Sequence, residues 1–324
     1  MHSIGRLGAP WTPDTARNEA RRLLGIVASG VDPCTQALSS ETFGAEIERY
    51  LLRKKGSLKP RSFIEDQRYL LKHASPLHKL TLGDIDRRTI AVLLGEIETK
   101  SGPIARNRLR SALSSFFAWA IQEGLTDEAN PVQGTGKADE GASRDRVLTQ
   151  DELRALWRSL GNDSFSNIVK LLLLTGARRV EIGGLRWDEV DLDRKLIVLS
   201  PKRTKNNHGH SLPLSNQAEA ILAAQPRQSD FVFGAKCFQD WSRAEAALDQ
   251  HAGIAPFRLH DLRRSAATYM AELGVQPHHI EAVLNHQSGH KSGVSGIYNR
   301  ASYVEPMRDA LQRWADHLDQ ITAG

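Results

Sequence analysis

Six side chains in the second half of the chain have the types and the order needed to attack a phosphodiester: Arg178, Lys205, His260, Arg263, His286 and Tyr298. Guanidinium groups bind non-bridging phosphate oxygens bidentately and stabilise the charge of a pentacoordinate phosphorus. A cation beside the leaving oxygen can protonate it, and a tyrosine hydroxyl can become a covalent nucleophile. Taken singly, each has an ordinary structural explanation. Arg178 with Glu181 one turn on reads as an ion pair at a helix corner. Lys205 stands in a polar turn, His260 and Arg263 share one helix face, and Tyr298 alone reads as a core or surface tyrosine. Together, in the order Arg, Lys, His-x-x-Arg, His, Tyr, they point to phosphoryl transfer on a nucleic acid.

Local signals place these residues. The apolar run Leu171 to Leu174 ends at Thr175-Gly176, so a buried helix stops there and a new one opens at Arg178. Residues 195–199 and 210–214 read as β-strands joined by a polar turn, 204–209, that carries Lys205. Helices are expected over 151–159, 165–174, 216–224, 238–250, 258–273 and 277–284, with Leu262, Ala266 and Met270 turned to the core. Thr149 followed by Glu152 forms a capping box at the start of the first of these. In the tail, Val304, Met307, Leu311, Trp314, Leu318 and Ile321 share one face of an amphipathic helix. That helix is expected to dock on a neighbouring protomer, the alternative being that it folds back on its own domain.

The first half reads as helical over 42–55, 61–72, 84–100 and 104–123. It carries two basic clusters. From Arg49 to Arg61 there is no acid, and Arg53, Lys54, Lys55, Lys59 and Arg61 fall in that stretch; later come Arg106, Arg108 and Arg110. Two clusters in one small helical block are expected to face phosphates, because each phosphate neutralised releases counterions. From Pro131 to Arg146 there is no large apolar residue after Val132, the composition of an interdomain linker. The domains expected are therefore 42–131, a linker at 132–146, and 147–324. Ahead of them, Thr12-Pro13 starts one helix within residues 1–36. One helix cannot bury a core alone; as an alternative, Trp11, Leu23, Leu24 and Val27 would pack it on the helical domain. The fold class is mainly α with a small antiparallel β-sheet.

Composition sets outer bounds. The chain has 324 residues, a net charge of +5, 40% hydrophobic and 25% charged residues, which excludes a disordered or collagen-like chain and suits a polyanion partner. No apolar run approaches the length of a membrane span or a signal peptide. The cysteines, Cys34 and Cys237, fit a reduced, cytoplasmic protein. Twelve histidines invite a metal reading, but their spacing fits no zinc pattern and no carboxylate cluster accompanies them.

The catalytic half resembles the tyrosine recombinase (phage integrase) family. The family's first arginine box, Thr-Gly-x-Arg-x-x-Glu, stands as Thr175 to Glu181. Its β-hairpin lysine falls on Lys205, its His-x-x-Arg box on His260 and Arg263, its third His/Trp position on His286, and its nucleophile on Tyr298 within Ile297-Tyr298-Asn299-Arg300. The resemblance implies a helical core-binding DNA domain followed by a mixed α+β catalytic domain. It implies a site-specific DNA recombinase, or integrase, that works through a 3′-phosphotyrosyl intermediate without cofactor, metal or ATP. Arg178 and Arg263 would clamp the phosphate, Lys205 would be the general acid, His260 and His286 would assist proton transfer, and Glu181 would orient Arg178. The implied partners are double-stranded DNA recombination sites, further copies of the chain in a tetrameric synapse with exchange of the C-terminal helix, and accessory DNA-bending or excision factors. No membrane is implied, and the place of action is the cytoplasm, at the nucleoid. The alternatives are a non-catalytic accessory protein of the same fold and a type IB topoisomerase-like enzyme. Residues 1–36 resemble the end of an arm-binding domain and are expected to be a remnant of it. Asn285 stands where the family more usually has glycine, His290 lies between His286 and Tyr298, and Tyr303 is a rival nucleophile.

Overall fold

The structure, a computed structural model, describes residues 12–28, 30, 42–142, 144–286 and 303–323, and the chain divides into two compact units, Met1–Ala142 and Ser143–Gly324. Tyr298 and His290 lie outside the described residues.

In the first unit, helix α1 (Pro13–Ala28) starts where Thr12 and Pro13 place it and buries no residue. Of its expected apolar side, Leu24 is 66% and Val27 54% exposed and Leu23 is half-buried, while Trp11 lies outside the described residues. Helix α2 (Phe43–Lys54) is capped by Thr42, whose hydroxyl accepts from the Ala45 amide, and buries Phe43, Ile47, Tyr50 and Leu51 as the 3.6-residue period requires. Helix α3 (Pro60–Arg68) runs into a π-helical turn at Tyr69–His73. Helix α4 (Arg87–Gln122) is broken at Gly102 (φ 83°, ψ 173°), after which Pro103 opens its second segment. Phe43, Tyr50 and Phe116 interlock edge to face, with ring centroids 4.6 and 5.4 Å apart.

The break between the two units falls within the stretch 132–146, and each end of that stretch is held by hydrogen bonds. Asn107 pairs with both backbone groups of Ala138 at 2.9 Å. Arg110 donates to the Thr135 carbonyl at 3.0 Å, and Arg106 to the Gly136 carbonyl at 3.2 Å and to Glu98 at 2.6 Å. At the other end, Arg144 donates to the Pro256 carbonyl at 2.9 Å, and Arg146 to Glu152 at 2.6 Å. Val132 is buried in the first core, and beyond it backbone carbonyls and polar side chains do the tethering. Arg106 and Arg110, expected to face phosphates, are thereby engaged within the protein.

In the second unit, α5 (Gln150–Ser159) begins with the expected capping box between Thr149 and Glu152. Helix α6 (Ser164–Thr175) is buried from Leu171 through Thr175 and lies at the centre of the core. Next come α7 (Arg179–Gly183) and an antiparallel sheet of β1 (Val190–Asp191), β2 (Leu196–Leu199) and β3 (His210–Pro213). Leu199 pairs with His210 and Ile197 with Leu212, which leaves Lys205 in the connecting turn. Helices α8 (Asn216–Ala223), α9 (Trp241–Ala252), α10 (Leu259–Glu272) and α11 (Pro277–Val283) follow. Leu262, Ala266 and Met270 of α10 are buried.

The tail helix α12 (Val304–Ala323) has the expected apolar face, and within the single chain that face lies on its own unit. Met307, Leu311, Trp314, Leu318 and Ile321 are buried in the second core. The Trp314 indole donates to the Leu173 carbonyl at 2.8 Å, and its ring stacks on Tyr269 at 5.4 Å. The helix thus closes over α6, the same helix that delivers Arg178. Among the described residues no helix is long and apolar enough to cross a membrane.

Trp314→Ala should destabilise the second unit by about 3–5 kcal/mol, the usual cost of emptying a buried aromatic site. Chemical denaturation monitored on that unit checks this, and a loss below about 1 kcal/mol would mean the tail is not part of its core.

Candidate active site

The end of α6 sets the first arginine. The Thr175 hydroxyl donates to the Leu171 carbonyl at 2.5 Å and accepts from the Ala177 amide at 3.2 Å. Gly176 takes φ +62°, a left-handed conformation that stops the helix, and a Cβ there would come within 3.2 Å of the Leu284 side chain. The chain then re-enters a helix at once, with Arg178 as its N-cap. One Glu181 carboxylate holds this residue twice, accepting from the Arg178 amide at 3.0 Å and from its guanidinium at 3.0 Å. Glu181 is only 1% exposed, so the pair is rigid.

Arg263, on α10, is 4% exposed and ties three helices together. Its guanidinium donates to the Gly176 carbonyl, at the end of α6, at 2.6 Å and to the Leu284 carbonyl, at the end of α11. Burial, and then the nearby Arg178 charge, lower its pKa to about 10 against the opposing pull of Glu181, so it remains a cation at neutral pH. His260, one turn earlier, is pushed below the ordinary histidine range by burial and then by the Arg263 charge. His286, just past α11, is pushed down by the same causes in the same order. Both imidazoles are therefore neutral at pH 7 and can accept or relay a proton.

Two cavities meet at His260. One, about 520 Å³, is lined by Arg178, Lys205, Arg258 and His260 among others. The second, about 580 Å³, is lined by His260, Arg263, Arg264 and His286 among others. The structure thus gathers five of the six sequence-derived catalytic candidates around one pair of adjoining cavities; the sixth, Tyr298, is outside the described residues. Tyr303 stands against the rings of His278 and His279, with centroids 5.6 and 5.7 Å away, and lines neither cavity. The larger depression in the first unit, about 710 Å³ and bordered by Arg87, Arg88 and Arg106, holds no such combination of acid, base and phosphate-binding groups.

The hairpin that carries Lys205 is anchored at its base. Arg203 donates to Glu189 at 2.6 Å and to the Gly184 carbonyl at 2.7 Å, and the Thr204 hydroxyl to the His208 carbonyl at 2.7 Å. Lys205 itself is exposed beyond these anchors.

Three residues of the site were not singled out from sequence. Arg258 lines the first cavity. Arg179 lines it too, paired with Glu245 at 2.8 Å and stacked over the Trp241 ring at 5.4 Å. His210, on β3, is 7% exposed and lies against the Ala282 backbone. Its alternation with Leu212 along the strand is the signal that would have turned it inward. Burial lowers its pKa to about 4 against the opposing pull of Glu181 and of a hydrogen bond with the Ala282 backbone, and the Arg263 and Arg178 charges add to the lowering.

Of the basic residues proposed for DNA in the first unit, Arg53 is paired with Glu123, and Lys54 lies over the Tyr50 ring at 5.5 Å. Lys55, Arg61 and Arg108 are exposed, and Lys59 is half-buried.

Residues 146–304 match the Phage integrase family. Prophage integrase IntA of Escherichia coli (strain K12) is 27% identical over 339 residues, which cover 96% of this chain and 81% of that protein. A shufflon-specific DNA recombinase of Escherichia coli is 34% identical over 207 residues, 61% of this chain and 53% of that protein. Among solved structures, a lambda integrase dimer bound to a COC′ core site is similar with a TM-score of 0.65 at 18% identity, covering 91% of this chain and 84% of that one. A lambda integrase tetramer bound to a Holliday junction gives a TM-score of 0.63 at 18% identity over 90% of this chain and 88% of that one.

The depressed pKa of His210 gives a signed prediction. Between about 4, its folded value, and 6.5, its ordinary value, the unfolded chain binds the extra proton. The folded state is therefore fully favoured above pH 6.5 and loses on the order of 3 kcal/mol from this group as pH falls towards 4. His210→Gln should remove that share, so the stability gap between variant and wild type should shift in favour of the variant as pH falls from 6.5 to 4. Urea midpoints across that range check it; parallel pH curves would show that His210 titrates normally.

Proposed function

We propose, from the match of residues 146–304 to the phage integrase family, that the chain is a tyrosine recombinase and that it cuts and rejoins duplex DNA through Tyr298. It is a site-specific DNA recombinase of the integrase type. The observation that carries the residue assignment is the meeting of Arg178, Lys205, His260, Arg263 and His286 around two adjoining cavities that share His260.

In the first step the Tyr298 oxygen attacks the scissile phosphorus and the bond to the 5′ oxygen breaks, leaving a 3′-phosphotyrosyl link. Lys205 supplies the proton that the departing 5′ oxygen needs, and a neutral imidazole, for which His260 is placed, takes the phenolic proton. In the second step the 5′-hydroxyl of the partner strand attacks the phosphotyrosine, the phosphorus–tyrosine bond breaks, and the proton returns to the phenolic oxygen. One phosphodiester is exchanged for another, so no ATP is consumed. Arg178 and Arg263 hold the non-bridging oxygens. Each guanidinium has five N–H donors, and the internal hydrogen bonds described above use only some of them. These cations supply the charge stabilisation that metal ions provide in other phosphoryl-transfer sites.

The first unit acts as the core-binding domain, with Lys55, Lys59, Arg61 and Arg108 as its candidate phosphate contacts. The solved lambda integrase neighbours are a dimer on a core site and a tetramer on a Holliday junction; this chain assembles likewise on paired sites, aided by accessory DNA-bending or excision factors. Its place of action is the cytoplasm, at the nucleoid.

With a core site located by footprinting DNA that flanks its own coding sequence, Tyr298→Phe should bind that duplex with unchanged affinity and cut none of it. Wild-type cleavage should persist in EDTA. Loss of cutting in EDTA with recovery on adding magnesium or zinc would overturn the mechanism, as would cleavage by the Tyr298→Phe variant.

A further inference from the structure

Helix α11 ends in an unusual turn. Leu284 closes the helix, and Asn285 then takes φ +48° while being only 5% exposed. A glycine would meet that backbone demand with less strain, since asparagine is merely the best tolerated of the other residues in this region. The side chain must therefore be accounted for by its contacts. Its amide donates to the His208 carbonyl at 3.3 Å, while the Asn285 carbonyl accepts from the Asn206 amide at 2.7 Å. Asn206 in turn accepts from the His208 amide at 3.3 Å. Asn285 and the loop from Asn206 to His208, 79 and 77 residues away in sequence, are thus bridged in both directions.

The position of this bridge matters. Asn206 is the neighbour of Lys205, and Asn285 is the neighbour of His286. The carbonyl just before, on Leu284, already accepts from Arg263. Two consecutive carbonyls of one turn thus receive the buried arginine and the loop that bears the lysine. That loop is otherwise polar and mostly exposed from Lys205 to Gly209. A lysine is a flexible point charge, and holding it at one phosphate oxygen requires that its backbone be held first.

We propose that Asn206 and Asn285 form a latch that positions the Lys205 loop against the turn carrying His286, so that the ammonium group is delivered to the leaving 5′ oxygen. The inference rests on the reading of Lys205 as general acid. Neither asparagine touches the reacting atoms; both are positioning residues, and their effect is confined to the protonation of the leaving group.

The test uses two core-site duplexes, one ordinary and one with sulfur replacing the bridging 5′ oxygen at the scissile phosphate. A thiolate leaves without being protonated, so a general acid is dispensable on the second duplex. Lys205→Ala should cut ordinary DNA about 100-fold or more slowly and recover on the sulfur duplex. Asn206→Ala, the near-isosteric Asn206→Asp and Asn285→Gly should each cut ordinary DNA at least about 10-fold more slowly, and each should recover on the sulfur duplex with unchanged DNA affinity. Normal rates on ordinary DNA would overturn the latch, and so would slow cutting of both duplexes by all three variants, which marks a purely structural loss. If Lys205→Ala itself fails to recover on sulfur, the general-acid assignment falls, and the latch with it; recovery of Lys205→Ala alone would reject only the latch.

Discussion

A guanidinium buried where three helices meet is the constraint on which the second unit is built. Arg263 cannot shed its charge at neutral pH, and an isolated buried charge is costly, so the surrounding chain must supply acceptors. It does so with the carbonyl groups of Gly176 and Leu284. Those two carbonyls exist in the right place only because Gly176 turns left-handed at the end of α6 and because α11 stops at Leu284. Satisfying one arginine therefore fixes where Arg178 restarts the chain and where His286 leaves it. The same charge sets the protonation of its neighbours, since it helps to keep His260, His286 and His210 neutral.

Glu181 is the counterweight. It is the carboxylate that opposes Arg178 and Arg263 in lowering the pKa of His210, and it holds Arg178 through both main chain and side chain. The site is thus a cationic pocket in which Glu181 and Asp261 are buried counter-charges, an arrangement that welcomes a phosphate without collapsing on itself. Helix α12 completes it from behind, because Trp314 bonds to the carbonyl of Leu173, two residues before Thr175. The catalytic geometry and the hydrophobic core are consequently one object.

Much of this was legible in the sequence, for reasons that are local. The Thr-Gly stop, the Arg178–Glu181 spacing, the capping box at Thr149 and the buried stripe of α10 follow from short-range rules of helix ends and periodicity. What sequence reasoning missed depends on partners far along the chain. Arg106 and Arg110 looked like phosphate contacts because their charge is visible, while the carbonyls of Gly136 and Thr135 that occupy them are not. The hydrogen bonds that hold the 132–146 stretch beyond Val132 end on carbonyls and polar side chains far along the chain, which composition does not reveal. His210 was passed over because only its long-range surroundings make it special. For α12 the period correctly gave an apolar face, yet a period cannot say whose core that face will enter.

The account's central claim is that this cationic pocket serves a covalent attack by Tyr298. Wild-type protein trapped on a nicked core-site duplex in EDTA, digested and mapped by mass spectrometry, tests it most directly. The account predicts a DNA-linked peptide modified at Tyr298 and attached to the 3′ phosphate. Attachment at Tyr303, or strand cutting with no protein-linked DNA at all, would contradict it.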